Sequence, residues 1–99
     1  GDFDAKVKAI EEFDAQLPSL MALNPDVVII GGDHSSPAVL KSHSWHPVPL
    51  LMYAKYIRAD KFTEFGESTC AQGNLGQIPA YHVMPIALAN AGRVAKYGA

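Results

Sequence analysis

Val27-Val28-Ile29-Ile30-Gly31-Gly32-Asp33-His34-Ser35-Ser36-Pro37 runs, after a short spacer, into His43-Ser44-Trp45-His46-Pro47-Val48-Pro49. These residues hold three of the four histidines, and they set Asp33 beside His34 where an apolar run stops. Val27 to Ile30 are four consecutive β-branched apolar residues, which predicts a strand buried on both faces, as in a parallel sheet. Gly31 and Gly32 then allow a tight turn. Reactive groups of open α/β sheets collect at the carboxyl ends of strands. Asp33 and His34 are expected at such an end, with the rest of the chain as their support.

Working outward, the 99 residues suffice for one compact unit. Apolar residues make up 48% and charged residues 18%, values of a folded chain and not of a disordered one. The formal net charge is −2 and the sequence pI about 6.0, with no basic cluster, so nucleic acid is not an expected partner. No apolar stretch is long enough to span a bilayer and no signal-peptide pattern opens the chain, so no membrane association is expected. Cys70 is the single cysteine and has no internal disulfide partner, which makes a cytoplasmic location the default.

Before the strand, apolar residues at Phe3, Val7, Ile10, Phe13, Leu17, Leu20 and Met21 follow a helical period and predict an amphipathic helix over residues 3–21. Asp2 or Asp4 is placed to cap it, Lys8 and Glu12 are spaced to pair, and Pro18 is expected to end or kink it. Asn24-Pro25-Asp26 is a turn signal. After the Asp-His pair, Ser36-Pro37 starts a turn or short helix, and residues 41–46 form a polar loop. Pro47 to Tyr53 is extended, with its two prolines at a strand beginning or edge. Residues 54–63 connect, with Arg58 and Asp60 as turn or ion-pair residues. A short helix is expected within 65–71, a loop at Gly73–Gly76, and a second helix from Pro79 to about Ala91, where Pro85 signals a later start or a kink. The tail from Gly92 reads as irregular.

Aspartate and neutral imidazole are good ligands for zinc or manganese. Side chains just past a strand can converge on one ion, and His43 follows on a loop able to fold back over the same strand ends. Taken alone, the residues leave two readings open for Asp33 and His34: metal ligands, or a turn cap beside a surface-loop histidine.

Gly32-Asp33-His34-Ser35 followed by His43-Ser44, then Pro47-Val48-Pro49, resembles the carboxyl-terminal metal-binding part of the cofactor-independent phosphoglycerate mutases, within the alkaline phosphatase superfamily. Lys8-Ala9-Ile10-Glu11-Glu12, Phe65-Gly66-Glu67, Gly73-x-Leu75-Gly76 and the ending Lys96-Tyr97-Gly98-Ala99 are similar to the archaeal-type branch of that family. The resemblance implies an α/β fold: the carboxyl-terminal portion of a mainly parallel, alkaline-phosphatase-like sheet with flanking helices. It also implies that residues 1–99 are part of the metal-binding domain, with the nucleophilic serine and the substrate-binding domain outside this chain.

The activity it implies is interconversion of 2-phosphoglycerate and 3-phosphoglycerate by transfer through a phosphoserine, a step of glycolysis and gluconeogenesis. Two divalent ions are implied, manganese first, with zinc, cobalt or magnesium as alternatives. Asp33 and His34 would bind the ion that activates the serine, and His43 would complete the shell of the other. No catalytic nucleophile is expected in this chain, and on its own it is expected to be inactive and to self-associate as a homodimer. The alternatives are another superfamily phosphotransferase or hydrolase (a phosphatase, a phosphopentomutase, a homoserine kinase; relatives also carry the label phosphonopyruvate decarboxylase) or a non-catalytic metal-binding module.

Other residues carry a bland reading beside a functional one. His46 is a candidate supporting donor to a metal ligand or a phosphate-binding residue, or a loop histidine packed on Trp45. His82, beside Tyr81, reads as surface or core. Arg58 reads as an anion binder or as half of a surface ion pair, and Lys41 as a phosphate contact or a solvated lysine. Cys70 reads as a small buried apolar group in place of a reactive thiol, and Glu67 as a cap of its short helix.

Overall fold

The computed structural model describes residues 1–95, so the Lys96–Ala99 ending lies outside the described residues. The chain divides into two compact units. One comprises Gly1–Pro25 and His34–His46; the other comprises Asp26–Asp33 and the residues from Pro47 onward.

The first unit begins with helix α1, Phe3–Met21. The Asp2 carboxylate accepts the backbone N–H of Ala5 at 3.0 Å, satisfying one of the amides that a helix start leaves open. Pro18 does not end the helix, which continues three residues further. So close to the terminus its missing N–H removes a single bond of the last turns, and the Ala22 N–H closes the helix onto the Pro18 carbonyl at 3.0 Å. Lys8 and Glu12 pair at 3.9 Å in full view of solvent. Asn24 then turns the chain with φ of 54°, a left-handed conformation that asparagine tolerates. The apolar stripe of α1 is largely exposed, with Phe3 67% and Ile10 59% accessible.

The second unit holds strands β1, Val27–Gly31, and β2, Leu50–Ala54. They pair antiparallel, with Val27 opposite Ala54 and Gly31 opposite Leu50. The β-branched run is therefore a strand as expected, but its described neighbour runs the other way. Hydrophobic patterning reports burial and not strand direction, and an antiparallel strand beside parallel ones is common in α/β folds. Nor is β1 buried on both faces: Val28 is 7% exposed and Ile29 39%. Pro47 and Pro49 precede β2, so neither removes a ladder donor.

Helix α2, Glu67–Cys70, is short. Its cap is the Thr69 hydroxyl, which accepts the Gly66 N–H at 3.1 Å, in place of the Glu67 cap read from the sequence. The Cys70 thiol lies 3.8 Å from the Leu50 carbonyl, half-buried against β2. Asp60 is a turn residue: its carboxylate accepts the Phe62 and Asn74 amides at 3.0 and 3.2 Å. A 3-10 turn, Ala80–His82, leads into helix α3, Val83–Asn90. Pro85 is the third residue of α3, where its absent N–H would have had no partner within the helix. Asn90 donates to the Ile86 carbonyl at 2.9 Å and lies 4.0 Å from the Met52 sulfur, so α3 abuts β2. Among the described residues the buried apolar side chains are Val28, Ala54 and Ala87, all in this unit. The result is an α/β arrangement of a short sheet with helices.

Candidate metal centre

The site residues follow from where β1 stops. Asp33 is exposed in the bend just beyond it, and His34 opens the segment of the first unit that runs to His46. That segment closes on itself. Ser35 and Ser44 form an isolated antiparallel bridge, with the Ser44 N–H donating to the Ser35 carbonyl at 2.8 Å. Between them the chain reverses through Pro37–Lys41. The Leu40 and Lys41 amides donate to the Pro37 and Ala38 carbonyls, and Lys41 takes a left-handed φ of 52°.

The register of that bridge decides which side chains meet. With 35 opposite 44, Ser36 falls opposite His43, and His34 falls diagonal to His43 on the same face, within reach of an aromatic ring. The contacts agree: the His34 and His43 ring centroids are 4.6 Å apart, tilted by 31°, and Ser36 Oγ lies 2.7 Å from His43 Nδ1. From α1, Lys6 Nζ donates to the Ser36 carbonyl at 2.7 Å and ties the loop to the helix. His46 is engaged locally. Its Nδ1 lies 2.9 Å from Ser44 Oγ and its ring stacks on Trp45, with centroids 4.8 Å apart. Both the packing on Trp45 and a hydroxyl partner are thus present for that residue.

The structure brings His34 and His43 together. Among the described residues it gathers no group of three or more His, Cys, Asp or Glu side chains that could hold a metal ion. The donors still suit divalent ions in kind. Two exposed imidazoles lie side by side, and the Nδ1 of His43 is occupied by a hydroxyl, which leaves Nε2 for a metal. Sequence reasoning missed Ser36, Ser44 and Lys6. The Ser44-x-His46 spacing could have been read as a local hydrogen bond, whereas Ser36 meets His43 only through the Ser35–Ser44 register.

A family model for the metalloenzyme superfamily matches residues 1–90. The chain belongs to the metalloenzyme superfamily. The alkaline-phosphatase-like α/β fold expected from the motif therefore holds. Members similar to this chain include a Thermosipho africanus protein, 60% identical over all 99 residues, and a Thermus thermophilus protein, 54% identical over the same length. Each is named probable 2,3-bisphosphoglycerate-independent phosphoglycerate mutase, and the chain spans about a quarter of their length, 25% and 24%. A solved protein of Pyrococcus horikoshii superposes with a TM-score of 0.86 at 34% identity, covering 96% of this chain and 26% of that one. No described helix is long and apolar enough to cross a membrane.

Proposed function

We propose that this chain forms part of a cofactor-independent phosphoglycerate mutase, in which it supplies Asp33 and His34 to one divalent ion and His43 to a second. The observation that carries the reading is identity of 54–60% over the whole chain to proteins named as such mutases. The closeness of the His34 and His43 rings supports it, since paired catalytic ions sit only about 3.5–4 Å apart and need ligands from neighbouring side chains. When bound, such ions stabilise the attacking and leaving oxygens of an in-line phosphoryl transfer. The role of the chain's own residues is to hold and orient. The bridge at Ser35–Ser44 fixes the loop, Lys6 anchors it to α1, and Ser36 meets the ring of His43. His46, stacked on Trp45, is the candidate contact for a phosphate or a neighbouring ligand.

The test is the complete protein encoded by the open reading frame that contains this chain, assayed with 3-phosphoglycerate and Mn²⁺ in the absence of 2,3-bisphosphoglycerate. Formation of 2-phosphoglycerate at ordinary enzymatic rates, on the order of 1–10³ per second, is expected. No conversion with Mn²⁺, Zn²⁺, Co²⁺ or Mg²⁺ would remove the assignment. The 99-residue chain alone is expected to be inactive, having neither a serine nucleophile on this reading nor a full ligand set. Its exposed Phe3, Ile10, Phe13 and Leu23 favour self-association as a homodimer. Light scattering over a concentration series reads that directly, and a monomer throughout would refute it.

A further inference from the structure

We infer that Ser36 is a positioning residue for His43: its hydroxyl selects the ring nitrogen that His43 presents to a metal ion. The inference rests on the ligand role proposed above for His43 and adds a residue to it. A histidine can bind a metal through either ring nitrogen, and the hydrogen bond made by the other nitrogen decides which. Here Nδ1 is 2.7 Å from Ser36 Oγ. With a metal on Nε2, Nδ1 carries the proton and donates it to the hydroxyl oxygen, which retains its own proton for another acceptor. Metal-bound histidines ordinarily have such a partner on the second nitrogen.

Ser36 is built to hold that position. Its carbonyl accepts Lys6 Nζ at 2.7 Å, so the residue is tethered to a helix thirty positions away. Pro37 follows it and restricts its backbone to extended conformations. The adjacent Ser35–Ser44 bridge sets it opposite His43. The partner hydroxyl therefore sits on a backbone fixed from three sides, and the His43 ring, itself exposed, is oriented by it.

The test uses the complete protein with Ser36→Ala, Ser36→Thr and His43→Ala, measuring Mn²⁺ stoichiometry and affinity by equilibrium dialysis. Ser36→Ala is expected to weaken one ion by about tenfold and leave the other unchanged, the lower end of what loss of such a partner does. Ser36→Thr, which keeps the hydroxyl, is expected to restore affinity to within about threefold. Native affinity in Ser36→Ala, with one ion lost in His43→Ala, would overturn the role of Ser36 while the ligand reading stands. Retention of both ions in His43→Ala would overturn the ligand reading and this inference together. Failure of threonine to restore what alanine loses would also count against it. Nitrogen-15 spectra of the unsubstituted protein loaded with Zn²⁺ need no variant: Nδ1 of His43 is expected to be protonated, and a metal bound through Nδ1 would end the proposal.

Discussion

The loop from His34 to His46 and the strand pair β1–β2 are held by different forces. The strands keep their place by a ladder of backbone bonds and by burial, with Val28 at 7% and Ala54 at 3% exposure. The loop has no buried side chain; it is held by the Ser35–Ser44 bridge, two serine–histidine contacts and the Lys6 tether. Burying a valine contributes roughly 1.5–3 kcal/mol, and a single hydrogen bond about 0.5–1.5 kcal/mol net. The strands therefore supply stability, and the loop supplies directed nitrogen and oxygen atoms. A loop with the metal-binding role proposed for this one gains from such a division, because polar donors can be aimed without first being desolvated.

The sharpest break in the comparison is chemical. In the complete protein, Asp33→Ala or His34→Ala is expected to reduce phosphoryl transfer on the order of 10³-fold or more, the several kcal/mol that metal stabilisation of charge supplies. The thermal midpoint should stay near that of the native protein, because both side chains are exposed. Full activity in either variant would place these residues outside the mechanism. The converse substitution is Ala54→Leu, at the buried end of β2. Forcing a larger side chain there is expected to cost about 1–3 kcal/mol in denaturant unfolding. The proposed mutase activity, measured well below the transition, should change little, and an unchanged midpoint would show that the strand pair is not the tighter region.

Smaller effects belong to α1, in the same unit as the loop. Asp2→Ala removes the cap on Ala5 and is expected to cost about 1 kcal/mol, read as a shifted unfolding midpoint. Asp2→Asn, which keeps the oxygen acceptor, should recover most of it. At the bottom of the scale, Lys8→Ala breaks the exposed pair with Glu12. About 0.2–0.5 kcal/mol is expected at low salt, vanishing as ionic strength rises. A salt-independent loss larger than that would mean that Lys8 packs against something beyond its helix.

Helix α1 was legible because its apolar residues from Phe3 to Met21 repeat with a helical period over five turns, and its bounds came out as read. The Asp33-His34 and His43 motif was legible by its order and spacing, which carried the family. The direction of the β1–β2 pairing was not, since an unbroken apolar run such as Val27–Ile30 reports burial and leaves the direction of the neighbouring strand open. Pro85 signalled a later start, and α3 does begin at Val83 and not at Pro79, whereas Pro18 does not end α1. A proline disrupts a helix by the bond that it removes, and both lie within one turn of a terminus, where at most one bond is at stake.

By itself the sequence marked the candidate metal-binding residues and determined where the long helix runs and where the first apolar strand begins, because composition, period and motif order are properties of the chain alone. Only the tertiary structure decided that His43 meets both His34 and Ser36, and that Lys6 reaches the Ser36 carbonyl. The physical reason is register: pairing Ser35 with Ser44 fixes every cross-strand neighbour, and a shift by one residue would turn these side chains to the opposite face. No local pattern in the sequence specifies that register; it is set by the turn at Pro37–Lys41 and by the helix that anchors it.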